Sequence, residues 1–229
     1  MLAGGRGTRL SPYTFVLPKP LLPIGDRPIV EHIVRRLAAA GFLDIHLSVG
    51  YLGSLISSYF SDLAELPDGI RLSFTRETRP LGTAGPLRLV PGDPQSLLVT
   101  NGDVLSELDY ADLVTYHRRT GAALTIATQL RETACDFGVV TLGDDSRVIG
   151  FAEKPVQRHT VNMGIYVYEA SALAYLREDA AMDVPDLVQT LLEAGERIVA
   201  YDFTGAWYDF GTPSDFERAA RDSTTAIRP

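Results

Sequence analysis

The chain has 229 residues, 45% of them hydrophobic, which is enough to bury the core of one α/β domain. Its formal net charge of −8 argues against nucleic acid or an anionic membrane as a partner. The single cysteine, Cys135, excludes an intrachain disulfide and fits a reducing compartment. With no apolar run of membrane-spanning length and no signal-peptide pattern, we expect a cytoplasmic protein.

A glycine-rich turn begins the chain, with the sequence Leu2-Ala3-Gly4-Gly5-Arg6-Gly7-Thr8-Arg9-Leu10. Its glycines allow consecutive N–H groups to point at one anion, and Arg9 supplies a planar fork for phosphate oxygens. The turn therefore predicts a phosphate site. Because a phosphate loop usually rises from a strand of about five or six residues, Met1-Leu2-Ala3 also predicts a first strand truncated upstream.

Lysine is rare in this chain. Of the 21 basic residues only Lys19 and Lys154 are lysines, and each precedes a proline. An ammonium group is a compact, strongly hydrated charge that arginine does not replace between closely spaced oxygens. Both lysines are therefore predicted to bind oxyanions.

Strands and helices alternate after the glycine turn. A stripe of Ile29, Ile33 and Leu37 predicts a helix that is capped by Asp26, has Pro28 in its first turn and ends at Gly41. A second helix is predicted at 186–194, with Leu187, Leu191 and Leu192 facing inward. Predicted strands are 45–49, 96–100, 123–128, 138–142, 148–151, 161–168 and 198–203.

This alternation predicts the fold class. We expect a single-domain, Rossmann-like three-layer α/β sandwich with a mostly parallel central sheet. Ligands of such folds bind at the carboxyl ends of the strands.

Asn101-Gly102-Asp103 directly follows a buried predicted strand, and Asp209 lies among aromatic residues in Trp207-Tyr208-Asp209-Phe210. A carboxylate at the end of a strand can hold Mg²⁺ beside nucleotide phosphates, because Mg²⁺ commonly takes one or two protein ligands. Asp103 and Asp209 are the candidate metal ligands.

A second polar set lies later in the chain. Glu153 and Lys154 precede Pro155, and Asn162-Met163-Gly164 lies in the next predicted strand. An acid and an amide can bind hydroxyls while an ammonium holds a phosphate, and Gly138 would let a sugar ring approach the backbone. These residues are candidates for binding a sugar phosphate.

Taken in order, these motifs resemble the sugar-1-phosphate nucleotidylyltransferases. The resemblance rests on the glycine turn, Pro18-Lys19-Pro20, Leu81-Gly82-Thr83-Ala84-Gly85, Asn101-Gly102-Asp103, Phe137-Gly138-Val139-Val140, Glu153-Lys154-Pro155, Asn162-Met163-Gly164 and Trp207-x-Asp209-x-Gly211-x-Pro213. It implies one catalytic domain over residues 1–229 that joins a nucleoside triphosphate to a sugar 1-phosphate and releases pyrophosphate. No C-terminal β-helix domain is expected, and a homo-oligomer is compatible with the resemblance.

The resemblance also implies a role for each motif. Arg9, Lys19, Asp103 and Lys154 would be catalytic, and Asp103 and Asp209 would hold Mg²⁺. The nucleotide would be bound by Leu2, Ala3, Gly4, Gly5, Gly7, Thr8, Glu77, Leu81, Gly82, Thr83, Asn101 and Gly102. The sugar phosphate would be bound by Gly138, Glu153, Lys154, Asn162 and Gly164.

Glu77 bears on the choice of base. A carboxylate only accepts hydrogen bonds, and guanine presents two adjacent donors. Together with Pro80-Leu81-Gly82-Thr83-Ala84-Gly85-Pro86, it makes the chain most similar to mannose-1-phosphate guanylyltransferases. A glucose-1-phosphate enzyme that uses TTP or UTP remains open, as does an inactive sensor that binds nucleotide sugars.

Other nucleotide-binding classes fit poorly. A dinucleotide-dependent oxidoreductase needs a third glycine where Arg9 and Leu10 stand, and an ATPase P-loop needs Gly-Lys-Ser/Thr after its glycines.

Overall fold

Short strands alternate with helices in the computed structural model, which describes residues 1–63, 66–178, 180–212, 214–217 and 219. The strands are β1 (Leu2–Ala3), β2 (Pro23–Ile24), β3 (Arg27–Pro28), β4 (Asp44–Val49), β5 (Arg71–Arg76), β6 (Ser96–Thr100), β7 (Val104–Ser106), β8 (Leu124–Ala134), β9 (Val139–Leu142), β10 (Val148–Ala152), β11 (Val156–Glu169), β12 (Ile198–Asp202) and β13 (Trp207–Asp209). The α-helices are α1 (Ile29–Ala39), α2 (Gly53–Asp62), α3 (Tyr110–Thr120), α4 (Ala170–Leu173) and α5 (Val184–Glu193).

The central sheet of the described residues has seven strands in the order β5-β4-β1-β6-β11-β8-β12. A parallel bridge between Leu2 and Asn101 joins β1 to the end of β6. β11 is antiparallel to both of its neighbours, and the other strands run in one direction. The predicted mostly parallel sheet is confirmed.

Apolar side chains leave both faces of this sheet. Ile165 and Val167 of β11 pack in one core with α1, α2 and α3, whereas Tyr166 and Tyr168 pack in a second core with α4 and α5. Because successive strand residues point to opposite faces, β11 supplies both cores. The predicted three-layer sandwich is confirmed.

The first helix has the predicted stripe but a different start. Ile29 and Ile33 are fully buried, and α1 ends next to Gly41, whose φ is +87°. Asp26 does not cap it, because the chain around Asp26 forms the turn of the β2–β3 hairpin. Pro28 is extended, with ψ of 155°, and pairs with Pro23 instead of entering the first turn.

The α5 helix begins two residues before its predicted start. Asp183 is the N-cap, and Asp186 is the third helical residue, which completes a capping box with it. Leu187 and Leu191 are fully buried, as predicted. The prediction for Leu192 was wrong: it is 55% exposed, because it lies about 100° around the helix from Leu191.

β8 and β11 continue beyond the sheet as a two-stranded arm, in which residues 129–134 pair with 156–161. The predictions at 123–128 and 161–168 therefore identified only the part of each strand within the sheet. The β9–β10 hairpin connects the two strands of the arm, and Phe137, Ile149 and Phe151 on this connection are all more than 60% exposed. In the part of the chain that is described, no helix has the length and apolar character needed to cross a membrane.

β1 leaves part of β4 without a partner on one side. β4 spans six residues, but β1 pairs only with Ser48 and Val49. A cavity of about 490 Å³ lies beside Leu2, lined by His46 of β4 and Leu98 of β6. The predicted truncation of the first strand stays a prediction.

Filling this cavity should stabilise the fold. A variant extended before Met1 by five valine and isoleucine residues should unfold about 10 °C higher, since the added strand would pair with β4 and β6 and bury apolar surface. Scanning calorimetry measures the midpoint, with a Gly-Ser extension of equal length as the control. Equal midpoints for the two extensions would contradict the expectation.

Candidate active site

The glycine turn lies at the carboxyl end of β1 and folds back on the Lys19 segment. Gly7 has a φ of +61°, a conformation that glycine adopts without strain. A Cβ atom at Gly7 would lie 3.0 Å from Thr14 and 3.2 Å from the Cβ of Lys19. The Thr14 hydroxyl donates a 2.9 Å hydrogen bond to the Gly7 carbonyl, which fixes the turn against residues 13–19.

Lys19 joins the two predicted metal ligands. Its side chain is 8% exposed, and Nζ lies 2.5 Å from Asp103 Oδ2 and 3.8 Å from Asp209 Oδ1. The sequence separates these residues by 84 positions or more, and the sheet brings them to one edge. A buried ammonium between two carboxylates is the electrostatic centre of this site.

Backbone pairing places the two aspartates. Asp103 follows β6, and Asp209 ends β13, where it pairs with Val104 of β7. Their side chains remain 28% and 49% exposed. Burial raises the pKa of Asp209, which Lys19 opposes and the neighbouring Asp103 carboxylate reinforces. The pair therefore favours a further positive charge beside it.

Arg9 lies in the same cavity as Lys19 and Asp103. A Cβ atom at Gly211 would lie 3.2 Å from Arg9 Nη1 and 3.7 Å from Asp215 Oδ2. Asp215 also accepts 2.8 Å hydrogen bonds from the Thr212 backbone and hydroxyl. Arg9, Lys19, Asp103 and Gly211 line a cavity of about 250 Å³. Pro213, the last residue of the predicted motif, lies outside the described residues.

The short distance between Gly211 and the Arg9 guanidinium predicts the effect of a substitution. Gly211→Ala should lower kcat about two- to tenfold, since the added methyl group would push the Arg9 guanidinium by a few tenths of an ångström. A steady-state assay of the nucleotidyl transfer that the resemblance implies measures this loss. Gly143→Ala is the matched control, because its Cβ atom would make only ordinary contacts of 3.4 Å or more. Wild-type kcat in Gly211→Ala would show that Arg9 acts elsewhere.

A second cavity of about 550 Å³ adjoins the first and shares Leu2, Gly5 and Asp103 with it. Glu77 lies on its wall, after β5, and its Oε2 accepts a 3.2 Å hydrogen bond from the Leu81 N–H. A Cβ atom at Gly4 would lie 2.2 Å from Glu77 Oε1, so a side chain there would push the Glu77 carboxylate away. Burial raises the pKa of Glu77, and the bond from Leu81 opposes that effect.

The Leu81-Gly82-Thr83 segment lies on the same wall but is also tied to α5. Gly82 has a φ of +79°, and a Cβ atom there would lie 2.5 Å from the Met182 carbonyl oxygen. The Thr83 hydroxyl donates to Asp183 Oδ1 at 3.1 Å and accepts from the Val184 N–H at 2.8 Å. Thr83, a predicted nucleotide-binding residue, therefore uses its hydroxyl to anchor the start of α5.

Asn101 and Gly102 link the nucleotide side of the site to β11. The Gly102 N–H donates to the Leu2 carbonyl at 2.8 Å, and the Asn101 N–H donates to the Gly164 carbonyl at 3.0 Å. Gly164 has a φ of +75°, and a Cβ atom there would lie 2.6 Å from Asn101 Nδ2. Asn162 Oδ1 accepts from the Gly164 N–H at 2.9 Å. The predicted sugar and nucleotide residues thus meet at Asn101.

Trp207 ties this region to the metal ligands. Trp207 lies two residues before Asp209 in β13, and its Nε1 donates a 3.1 Å hydrogen bond to the Met163 carbonyl in β11. The Arg131 guanidinium lies 4.8 Å from the centre of the indole ring. The arm and the strand that carries Asp209 are therefore held together.

The remaining sugar-phosphate candidates lie on the arm. A Cβ atom at Gly138 would lie 2.5 Å from the Phe151 ring and 3.1 Å from Glu153 Oε2, so these residues are neighbours. Lys154 is exposed and has a φ of +46°. Among the described contacts, no hydrogen bond or ion pair joins Lys154 to Lys19 or Asp103.

The sequence interpretation missed Tyr51, Asp215 and Thr14. Tyr51 follows Gly50 after β4 and lines the larger cavity, a position that the rule of ligands at strand ends could have indicated. Asp215 and Thr14 act through short local hydrogen bonds that carry no sequence motif.

Residues 1–226 match a protein family described as nucleotidyl transferase. The chain belongs to this family. Among curated nucleotidyl transferase relatives, the mannose-1-phosphate guanyltransferase of Yarrowia lipolytica is 36% identical over 231 residues, covering 94% of this chain and 61% of that protein. The mannose-1-phosphate guanylyltransferase of Mycobacterium tuberculosis is 34% identical over 235 residues, covering 100% of this chain and 65% of that protein. The chain thus spans less than two thirds of the length of these relatives.

Solved structures of similar length share the fold. The crystal structure of HddC from Yersinia pseudotuberculosis is 25% identical, with a TM-score of 0.73 and 96% of each chain covered. A putative glucose-1-phosphate thymidylyltransferase from Bacillus anthracis is also 25% identical, with a TM-score of 0.71 and coverage of 98% and 94%. The family resemblance predicted from the motifs is confirmed, together with its α/β fold.

Proposed function

We propose that this chain transfers a guanylyl group from GTP to mannose 1-phosphate, or to a related manno-configured sugar phosphate, and releases pyrophosphate. The observation that carries the proposal is the position of Lys19 Nζ, 2.5 Å from Asp103 and 3.8 Å from Asp209, below the glycine turn. The names of the curated relatives support the same reaction. The proposal treats residues 1–229 as one catalytic domain and leaves a homo-oligomer as a prediction.

The reaction needs charge neutralisation more than proton transfer. The attacking sugar-phosphate oxygen is already an anion, so no general base is required. Two anions must instead be aligned, and the charge on the departing pyrophosphate must be stabilised. Arg9 and Lys19, which line the smaller cavity, fit that role toward the triphosphate, and Lys154 on the arm fits it toward the sugar phosphate.

The acidic pair fits a divalent cation. Asp103 and Asp209 offer the oxygen donors that Mg²⁺ takes, and their partial exposure leaves room for its water ligands. The raised pKa of Asp209 indicates a carboxylate that a cation would stabilise. Bound there, Mg²⁺ would neutralise charge on the nucleotide and sugar phosphates.

Glu77 supports guanine as the base. Its Oε2 already accepts from Leu81, and the carboxylate faces a cavity of about 550 Å³. Two acceptor oxygens complement the ring N–H and the exocyclic amine of guanine. Glucose-1-phosphate transfer from TTP or UTP is the alternative. We also propose that the protein acts in a reducing compartment such as the cytoplasm, which its single cysteine fits.

A sensor that binds nucleotide sugars is the alternative of another class. Such a protein would be expected to lose charge at the reaction centre. Arg9, Lys19, Asp103 and Asp209 are all present, and Lys19 contacts both acids, which favours catalysis.

Pyrophosphate release tests the proposal directly. GTP, TTP, UTP, CTP and ATP are each paired with mannose, glucose, glucosamine and heptose 1-phosphates in the presence of Mg²⁺. We expect GTP with mannose 1-phosphate to be fastest, with activity lost in Asp103→Asn and kept in the exposed control Asp68→Asn. Turnover led by TTP or UTP would overturn the choice of base, and no turnover with tight nucleotide-sugar binding would favour the sensor.

A further inference from the structure

Arg6 and Tyr51 form a cation–π pair at the rim of the larger cavity. The guanidinium carbon lies 5.8 Å from the centre of the Tyr51 ring, and the Tyr51 hydroxyl donates a 3.1 Å hydrogen bond to the Phe15 carbonyl. Both residues line the cavity that contains Glu77, and neither lines the smaller cavity of Arg9 and Lys19. This cation therefore lies with the base side of the site.

The backbone fixes Arg6 and Glu77 on the wall of this one cavity. The Tyr51 N–H donates to the Gly4 carbonyl at 3.3 Å, and the Glu77 N–H donates to the Val49 carbonyl at 2.8 Å. The ends of β1, β4 and β5 are thus bonded side by side, and each contributes one of these side chains or its neighbour. The wall presents a double acceptor and a double donor to one ligand.

Guanine matches this combination of charges. Its O6 and N7 atoms are adjacent acceptors that a guanidinium can bind with two hydrogen bonds, and its N1 and N2 atoms are donors that suit a carboxylate. Adenine reverses the pattern, since its N6 amine would face the arginine and its N1 lone pair would face the carboxylate. An arginine and a glutamate that line the same cavity therefore favour guanine over adenine.

Arg79 is the other arginine on this cavity, but it already has an interaction partner within the chain. Arg6 has the Tyr51 ring as its contact among the described residues, and that contact leaves the guanidinium N–H groups available to a ligand.

We propose that Arg6 is a specificity-determining residue that donates hydrogen bonds to O6 and N7 of guanine, held in place by the Tyr51 ring. This inference rests on the proposed use of GTP at the same site. It concerns selection of the base and leaves the transfer step to Arg9, Lys19 and the acidic pair.

Replacing one atom of the nucleotide tests the proposed contact between Arg6 and guanine. In 7-deaza-GTP a C–H group takes the place of N7, so the wild-type chain should use it about tenfold less efficiently than GTP, as judged by kcat/KM. In Arg6→Gln the ratio of kcat/KM for GTP to that for 7-deaza-GTP should fall to about one. In Arg6→Lys it should fall in the same direction, because a single ammonium lacks the planar fork.

Arg119→Gln is the matched control. The Arg119 guanidinium lies 5.6 Å from the Tyr116 ring on α3, so the variant removes a similar pair away from the site. It should keep the tenfold ratio. A ratio of one in the wild type, or an unchanged ratio in Arg6→Gln, would overturn the inference while leaving GTP turnover intact.

Calorimetric binding of GTP and 7-deaza-GTP separates this inference from the proposed function. If no sugar phosphate supports turnover but the wild type binds GTP about tenfold more tightly than 7-deaza-GTP, and Arg6→Gln does not, the inference holds and the proposed reaction fails. If GTP does not bind, both fail.

Discussion

Replacing Lys19 with methionine should reduce kcat by a factor of about 100 to 1,000. Lys19 is the cation that contacts both Asp103 and Asp209, and methionine keeps its length while removing the charge. The triphosphate would then face two carboxylates with only Arg9 to oppose them on the wall of the smaller cavity. Steady-state pyrophosphate release at saturating substrates measures the loss.

Two further variants interpret this result. Lys19→Arg should also lose activity. The Lys19 side chain is only 8% exposed, and a planar guanidinium is larger than the ammonium group that it would replace there. Arg88→Met removes a positive charge that pairs with Glu178 away from the site and should keep wild-type kcat. Near-wild-type kcat in Lys19→Met, with circular dichroism showing a native fold, would exclude Lys19 from catalysis.

Glu77→Gln should change the base that the protein uses. A glutamine side chain both donates and accepts, which suits the edge of a pyrimidine and leaves one guanine donor unpaired. We expect the ratio of kcat/KM for GTP to that for TTP or UTP to fall about 100-fold. The hydrogen bond from the Leu81 N–H can persist to the amide oxygen, so the loop should keep its shape.

The pH dependence of this preference provides a second measurement. Because burial raises the pKa of Glu77, the group takes up a proton at a higher pH than an ordinary glutamate. The preference for GTP should therefore weaken as the pH falls through that raised pKa, and it should not depend on pH in Glu77→Gln. Glu132→Gln, on the exposed arm, is the control. An unchanged base preference in Glu77→Gln would assign the choice of base to other groups.

Local patterns predicted much of the fold and the turn that carries Asp103. The strands at 45–49, 96–100 and 198–203 were placed within one residue, because their apolar runs are short and bounded by turns. The Asn101-Gly102-Asp103 turn was placed correctly for the same reason, since it follows β6 directly. Asp103 meets Lys19 because the end of β6 lies beside the segment that follows β1, in which Lys19 begins a short 3₁₀ turn.

Contacts between distant segments were not predictable in this way. Thr83 and Asp183 are 100 residues apart, and neither carries a motif that indicates their hydrogen bond. α2 and β5 were not predicted, because α2 contains three serines among its first eight residues with no side-chain cap, and β5 is only partly buried. Leu192 was misplaced because three leucines share one short helix, and packing decides which two face inward.

The arm enters and leaves the sheet through adjacent strands, so it could be shortened without rerouting the rest of the chain, although its deletion would also remove the Arg131 contact with Trp207. Gln129 and Val161 are paired neighbours at its base, so their backbones are about 5 Å apart. A short turn could join them and delete the segment that holds Gly138, Glu153 and Lys154 without changing the connections of the glycine turn. Under the proposed roles, the strands that carry the nucleotide candidates and the arm segment that carries Gly138, Glu153 and Lys154 could diverge separately. An arm taken from a relative would then test whether this segment decides the acceptor.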